Sequence, residues 1–336
     1  KGLPIRFFLV IMGLLVSFCM VTRTGLQQEL ASIMFFAGSL AALYHIATFL
    51  LIFVPLSCFF ISWACASVFY YLIKRFNEVV DQQIASAEAA CAGEIQAQLF
   101  PAKSILTETY SVRGICLPCD ATGGDFFDYF ELEDGNIVFI LGDVAGHGFS
   151  AAILTIMAKT TVQLLRQKDM ATPENIVSTL NQIILELIKK KKFMTLAAGH
   201  LNCSSHVISM VLAGHLPPLH ITADGRLQEL NKAGFPLGVI KNLPLRTVSC
   251  QMQPGDSLIL YTDGIVEALN WKNEQYTYRS WYDFLKKSMP EFTEEHGLEG
   301  LLEGVKQHKA GRNFDDDVTY IVIRRRMQNL GRNAAV

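Results

Sequence analysis

The chain has 336 residues, enough for roughly two domains, and its formal net charge is −2. This near-neutral balance excludes the strongly basic surface typical of nucleic-acid-binding proteins, so no nucleic-acid partner is predicted. Hydrophobic residues make up 51% of the chain, which is too apolar for an ordinary soluble enzyme, and the excess is concentrated before residue 74.

The first 75 residues predict a transmembrane region of about three spans. The run from Ala31 to Ile73 contains no charged residue and is about twice as long as one spanning helix needs. Pro55, near its middle, predicts a turn or a kink that separates two spans. Lys74 and Arg75 close the last span, and the positive-inside tendency places everything after them in the cytoplasm. The predicted spans are residues 5–22, 31–54 and 56–73.

Residues 76–100 predict a linker helix between the membrane and a cytoplasmic domain. Apolar residues recur there at helical spacing, from Phe76 and Val79 to Ile95 and Leu99, with polar residues between them. Pro101 ends the pattern. The apolar stripe suits pairing with a second copy in a homodimer, and it suits packing on the chain's own domain equally well.

Residues 101–326 predict an α+β domain with antiparallel sheets, and residues 327–336 form a tail. An Asp-Gly turn at 134–135 lies between two apolar runs, which is typical of a hairpin. Helical spacing predicts helices over 149–166, over 176–188 and within 279–308. Strands joined mainly by hairpins favour antiparallel sheets over a doubly wound parallel sheet. The predicted strands are 110–116, 126–132, 136–141, 193–201, 206–212, 219–222, 227–230, 258–261 and 318–323.

Four acidic, glycine-bracketed segments stand at the ends of predicted strands in this domain. Each alone would be an ordinary turn, because Asp-Gly turns are common. Four of them in one domain would repel strongly if the fold gathered them without cations. Carboxylates gathered in this way favour Mg²⁺ or Mn²⁺. The segments are Gly123-Gly124-Asp125, Gly142-Asp143-Val144-Ala145-Gly146-His147-Gly148, Tyr261-Thr262-Asp263-Gly264 and Asp315-Asp316-Asp317.

The order of these segments closely resembles the SpoIIE/RsbU-type branch of the PPM (PP2C-like) metal-dependent serine/threonine phosphatases. The resemblance covers about residues 94–325 and leaves the membrane segment outside it. Five motifs carry it, namely Leu117-Pro118 with Gly123-Gly124-Asp125-Phe126-Phe127-Asp128, the Gly142–Gly148 segment, Ala213-Gly214-His215-Leu216-Pro217-Pro218, Tyr261-Thr262-Asp263-Gly264-Ile265-Val266-Glu267-Ala268, and Asp315-Asp316-Asp317-Val318-Thr319.

The resemblance implies a fold and a set of ligands. The fold is a sandwich of two antiparallel β-sheets flanked by helix pairs, with two Mn²⁺ or Mg²⁺ ions at one edge. Asp143 would bridge both ions, and Asp316 is chosen as the last ligand because it stands three residues before Thr319. The implied metal ligands are Asp125, Asp143, the backbone carbonyl of Val144, Asp263 and Asp316, with possible support from Asp128, Gly124, Gly146, Gly264, Asp315 and Asp317.

The implied activity is hydrolysis of phosphoserine or phosphothreonine by a water that two metal ions activate. Asp143 and His147 are the candidate catalytic residues, with His147 as general acid, although its spacing from Asp143 departs from that of the eukaryotic relatives. No cysteine has an arginine six positions later, which excludes a Cys-x₅-Arg phosphatase. The lone Cys-x-x-Cys at Cys116 and Cys119 is interpreted as ordinary reduced thiols.

By the same resemblance, the substrate is a phosphorylated anti-anti-sigma (STAS-domain) protein of a partner-switching pathway that regulates a sigma factor. The enzyme would be a multi-pass protein of the bacterial inner (cytoplasmic) membrane, with its catalytic domain in the cytoplasm. The alternative is a catalytically silent module of the same fold that binds a regulatory partner. Lys189–Lys192 follow the predicted helix 176–188 and are interpreted as a solvated run that suits the helix dipole.

Overall fold

The computed structural model describes residues 40–101, 103–120, 122–146, 148–188, 192–232, 234–289 and 298–327. The predicted span 5–22, the first residues of span 31–54, His147 and all but one residue of the predicted tail therefore lie outside the described residues. The chain divides after Gln82 into two compact units, which are described separately.

The first unit contains most of one long helix, α1, which runs over Leu40–Leu99. It continues through Pro55, so the predicted turn between the second and third spans is absent. The apolar residues on both sides of Pro55 include no turn former, and the proline interrupts the backbone hydrogen bonding at one position only. The predicted linker 76–100 is the continuation of the same helix. By length and composition, one described helix could cross a membrane, with a window of mean hydropathy 2.2.

A six-stranded antiparallel sheet forms one layer of the second unit. Its strands lie in the order β1-β2-β11-β10-β7-β8. In this order they are Ile105–Leu106, Tyr110–Leu117, Val318–Arg325, Ser257–Tyr261, Leu219–Ile221 and Leu227–Glu229.

A five-stranded antiparallel sheet forms the facing layer, in the order β3-β4-β5-β6-β9. Its strands are Asp125–Glu131, Ile137–Val144, Met194–Asn202, Val207–Ala213 and Thr247–Gln251. The edge strands β1 and β9 were not predicted. β1 has only two residues, and β9 has the exposed positions of an edge strand, so neither shows a strong apolar pattern.

Helices cover the outer face of each sheet. The helices α2 (Phe149–Gln167) and α3 (Pro173–Ile188) share a core with Val138 and Ile140 of β4. On the other sheet, α4 (Tyr278–Ser288) and α5 (Glu303–Lys309) share a core with β10 and β11. Two short 3₁₀ helices, Asp263–Ile265 and Leu298–Leu302, complete this unit.

A third core lies between the two sheets and contains Phe139 and Leu141 of β4 with Leu258 of β10 and Ile321 of β11. β4 is therefore buried on both faces, since its odd-numbered residues face the other sheet and its even-numbered residues face the helices. The layers confirm the predicted α+β fold, a sandwich of two antiparallel sheets between helix pairs.

Candidate active site

The predicted ligands meet at one edge of the sandwich because of strand register. Asp125 opens β3 and Asp143 lies near the end of β4, and the two are direct cross-strand partners. Both have the strand parity of Phe127 and Leu141, so they share the face that looks toward the other sheet. In that sheet, Asp263 follows the end of β10 and Asp316 precedes the start of β11. The fold thus brings acidic residues from both sheets to one edge.

Side-chain hydrogen bonds join the two sheets at this edge. The hydroxyl of Thr262, which follows β10, donates to Asp125 Oδ2 at 2.8 Å. The carboxylate of Asp317 accepts from the backbone N–H groups of Cys119, Gly124 and Asp125 at 2.9, 2.6 and 3.3 Å. Asp317 therefore anchors the backbone that leads into Asp125, a larger role than the possible support predicted for it.

Burial and mutual repulsion oppose ionisation of these carboxyl groups. Burial, followed by the nearby charge of Asp143, raises the pKa of Asp125 well above its ordinary value. Burial, followed by the charges of Asp263 and Asp316, raises the pKa of Asp143 to about 7. Burial and then Glu267 raise the pKa of Asp263. Raised pKa values of this kind mark functional sites, and a divalent cation would remove the repulsion.

Close backbone packing explains the glycines around these carboxylates. A Cβ atom on Gly124 would lie 2.7 Å from the carbonyl oxygen of Val144, 3.2 Å from that of Gly146 and 3.4 Å from Asp143 Oδ1. These three oxygens therefore surround a single point, the position that a Cβ atom on Gly124 would take. A Cβ on Gly264 would collide with the carbonyl oxygen of Asp317. The glycines let the loops approach closely enough for the carbonyl of Val144 and the carboxylate of Asp143 to share one site.

Two of the predicted supporting residues have partners away from this cluster. Asp128 lies on the helix-facing side of β3 and forms a buried ion pair with Lys159 of α2 at 3.0 Å. Asp315 accepts from Arg312 at 2.9 Å and lies 3.7 Å from Lys309 Nζ. Both residues stabilise elements that carry the site, and neither belongs to the cluster that the pKa shifts connect.

The carboxylate oxygens of the four predicted aspartate ligands do not all lie in one tight group. In the part of the chain that the structure describes, the set of three or more ligand atoms within 4.8 Å of one another is Cys119, Asp316 and Asp317. Asp125, Asp143 and Asp263 stand further apart, as expected of uncompensated carboxylates. The donor set of several carboxylate oxygens and backbone carbonyls fits a hard divalent cation.

Gln96, near the end of α1, is a site residue that sequence reasoning missed. It is 6% exposed. Its amide nitrogen lies 3.0 Å from Gly123 O, 3.3 Å from Asp125 O and 3.2 Å from Thr155 Oγ1, and its amide oxygen accepts from Gly123 N at 3.2 Å. A single side chain thus ties the helix to the loop that carries Asp125. A polar residue between apolar positions gave no local signal of this role.

His215 lies in the loop after β6, within the predicted motif that runs from Ala213 to Pro218. Its Nδ1 is 2.9 Å from the hydroxyl of Thr195, the cross-strand partner of Asp143. Burial lowers the pKa of His215 from 6.5 to about 4. The neutral imidazole therefore joins the loop after β6 to the strand that pairs with Asp143.

A pH-dependent stability is expected from His215. Because its pKa is lowered in the folded state, its neutral form contributes fully above pH 6.5 and the contribution is lost as the pH falls toward 4. Glutamine in place of His215 does not titrate, so the variant should lose less stability than the wild-type protein as the pH falls from 6.5 to 4. The difference in the free energy of unfolding should reach roughly 2–3 kcal/mol. Thermal melting of both proteins at several pH values measures this, and parallel curves for the two proteins would contradict it.

Comparisons with known proteins agree with this geometry. The sequence model of the family described as Stage II sporulation protein E (SpoIIE) matches residues 133–326, more than half of the chain. Protein IcfG of Synechocystis sp. is 24% identical over 291 residues, which cover 76% of this chain and 45% of IcfG. Phosphoserine phosphatase RsbP of Bacillus subtilis is 23% identical over 205 residues, 60% of this chain and 48% of RsbP. The chain thus spans about half the length of these relatives.

A solved structure confirms the fold. The SiaA-PP2C domain of Pseudomonas aeruginosa superposes with a TM-score of 0.62 at 21% identity, and the match covers 73% of this chain and 98% of that domain. At this identity the likeness establishes the fold, which is that of the PP2C-like phosphatases.

Proposed function

We propose, from the premise that this chain belongs to the SpoIIE family, that it is a metal-dependent protein serine/threonine phosphatase. The observation that carries the proposal is the meeting of Asp125, Asp143, Asp263 and Asp316 at one edge of a PP2C-like sandwich. The shifted pKa values of Asp125 and Asp143 support it, because the fold holds ionised carboxylates together at an energetic cost that bound cations would offset. A phosphoric monoester of serine or threonine is the substrate class that the family supports.

We assign the metal-holding role to the carboxylates of Asp125, Asp143, Asp263 and Asp316 with the carbonyl of Val144. Asp143 is the central member, because its charge is opposed by both Asp263 and Asp316. Two bound Mn²⁺ or Mg²⁺ ions would lower the pKa of water and neutralise phosphoryl charge. Thr262 fixes the Asp125 carboxylate through its hydroxyl at 2.8 Å, and Asp317 fixes the backbone beside it. His147, the proposed general acid, remains a sequence-based proposal.

The proposed substrate is a phosphorylated STAS-domain anti-anti-sigma protein in a partner-switching pathway. The family supports a protein substrate, and the length of α1 supports attachment to a membrane. We propose a multi-pass membrane protein whose catalytic domain lies in the cytoplasm. The test incubates the full chain with phosphorylated STAS proteins from the same genome, with Mn²⁺ or with EDTA. Release of phosphate only with Mn²⁺ is expected, whereas equal release in EDTA would refute metal dependence.

The same assay separates the enzyme from a silent binding module of the same fold. A silent module would bind the STAS protein without releasing phosphate, and calorimetry would detect no uptake of Mn²⁺. We favour the enzyme because every proposed ligand is present in the sequence.

We also propose that the end of α1 controls the geometry of the site, through Gln96 and through homodimer formation by the linker part of the helix. Gln96→Leu is expected to weaken Mn²⁺ binding about tenfold and to cost about 1–3 kcal/mol of stability, because buried backbone groups of Gly123 and Asp125 lose their partner. Calorimetric titration with Mn²⁺ and thermal melting measure both effects.

Gln98→Leu is the matched control for this prediction, since Gln98 is exposed on the same helix two positions away. It should leave Mn²⁺ affinity unchanged. If both variants bind Mn²⁺ as tightly as the wild-type protein, Gln96 does not position the metal loop.

A further inference from the structure

Lys192 lies beside the loop that follows Asp143, and strand pairing places it there. In the register of β4 and β5, Val144 is opposite Met194. The pairing extends one step beyond the strands, because the N–H of Ala145 donates to the carbonyl of Phe193 at 3.0 Å. The next positions outward on the two segments are Gly146 and Lys192.

The ammonium group of Lys192 reaches back over this loop. A Cβ atom on Gly146 would lie 3.8 Å from Lys192 Nζ. Gly146 has a φ of +88°, a value that glycine adopts readily, so the loop can turn beneath the lysine. The described part of helix α3 extends to Ile188 and β5 begins at Met194, so Lys192 lies just before β5.

The loop beneath Lys192 is part of the acidic edge. The carbonyl oxygen of Gly146 lies close to the position that a Cβ atom on Gly124 would take. The carbonyl oxygen of Val144 and Asp143 Oδ1 lie close to the same position. The lysine is therefore next to the proposed metal-holding atoms, on the side of the loop that precedes α2.

Neighbouring cations at this end of the domain already have carboxylate partners. Lys159 is paired with Asp128 at 3.0 Å, and Arg312 with Asp315 at 2.9 Å. Lys192 has no carboxylate within ion-pair distance among the residues that the structure describes. The ammonium group of this half-buried residue, next to a cluster of carboxylates and paired with none of the described ones, is available to an incoming anion.

We propose that Lys192 binds the phosphoryl group of the substrate at the mouth of the metal site. This inference rests on the proposed phosphatase function and adds a specific substrate-binding residue to it. Lysine suits the task, because its compact charge on a flexible stem follows a phosphoryl group from the bound substrate to released phosphate. Charge-assisted hydrogen bonds to phosphate are about twice as strong as neutral ones.

The sign of the charge makes a discriminating test possible. A lysine beside the metal site repels divalent cations and attracts phosphate. Its removal should therefore weaken phosphate binding while Mg²⁺ binding stays the same or becomes tighter. A residue that merely supports the fold would weaken both together.

The experiment titrates inorganic phosphate into the Mg²⁺-loaded full chain in detergent, by calorimetry. Lys192→Gln is expected to raise the Kd for phosphate about tenfold, without weakening the affinity for Mg²⁺ measured in a separate titration. Lys192→Arg, which keeps the charge, should stay within about threefold of the wild-type Kd. With p-nitrophenyl phosphate as substrate, Lys192→Gln should raise KM far more than it lowers kcat.

Lys168→Gln is the control, because it removes the same charge from an exposed lysine at the end of α2. An unchanged phosphate Kd in Lys192→Gln, a parallel loss of Mg²⁺ affinity, or an equal effect of Lys168→Gln would each overturn the proposal. Phosphate binding that depends on Lys192 in a chain without hydrolytic activity would refute the enzyme and leave this site standing.

Discussion

Replacement of Asp143 by asparagine is expected to reduce phosphatase activity at least about a hundredfold and, at the same time, to stabilise the metal-free protein. The activity falls because Asp143 is the proposed central ligand. The stability rises because burial, followed by the repulsion of Asp263 and Asp316, opposes ionisation of this carboxyl group and raises its pKa to about 7. Asparagine keeps the shape of the side chain and removes the charge.

The gain in stability should depend on pH in a defined direction. A carboxyl group whose folded pKa is raised destabilises the fold when it is ionised, so the penalty is absent below about pH 4 and complete above about pH 7. In EDTA at pH 8 the variant should be more stable by about 2–4 kcal/mol. Thermal melting in detergent measures this difference, which should reverse in excess Mn²⁺.

Asp283→Asn is the control for this prediction, since Asp283 makes only a long surface ion pair with Arg279. It should change neither activity nor metal-free stability. A metal-free Asp143→Asn protein that melts below the wild-type protein would show that the carboxylate stabilises the fold, and the metal-site assignment would then be wrong.

Local sequence signals predicted most of the strands and helices of the domain. The hairpin between β3 and β4 is an example, because its turn is made by neighbours in sequence. Gly135 has a φ of +80°, and Asp134 Oδ1 accepts from the N–H of Asn136 at 3.0 Å. Such a turn depends only on its own few residues, so its residue types were enough to predict it.

The membrane-proximal helix shows the limit of a local signal. Pro55 predicted a turn or a kink, and α1 continues through it without the turn. A proline in a helix costs one backbone hydrogen bond and a local clash, and residues 50–60 contain no glycine, asparagine or aspartate that would favour a turn instead. The count of spans stays a prediction.

The positions of the aspartates were predicted from strand ends and family resemblance, but the contacts that fix them were not. Gln96 bonds a residue 27 positions away, and Asp317 bonds one 193 positions away. The chain places such partners together only after both sheets have formed. For the same reason, the approach of Lys192 to Gly146 could not be read from a run of lysines.

Asp317→Ala is the second change for which a large effect is expected, and the effect is on stability. The carboxylate accepts from the N–H groups of Cys119, Gly124 and Asp125. Gly124 and Asp125 are buried, and buried donors left without an acceptor cost about 1–3 kcal/mol each. A loss of about 3–5 kcal/mol is therefore expected, and Mn²⁺ affinity should fall because the backbone beside Asp125 moves.

Substitutions at Asp316 and Asp317 should separate the loss of a metal ligand from the loss of support for the backbone. Asp316 is exposed, lies just before the same strand and is the proposed ligand. Asp316→Ala should therefore lose Mn²⁺ affinity with a smaller loss of metal-free stability than Asp317→Ala, because its Oδ1 accepts a hydrogen bond from the N–H of Asp317 at 2.8 Å. Asp317→Asn, which keeps one acceptor oxygen, should fall between the wild-type protein and Asp317→Ala in melting temperature. Melting in EDTA and Mn²⁺ calorimetry on the three variants separate the roles. If Asp317→Ala matches the wild-type protein in EDTA while Asp316→Ala unfolds, the two neighbours have exchanged roles: Asp317 would be the ligand, and the spacing argument that selected Asp316 would be wrong.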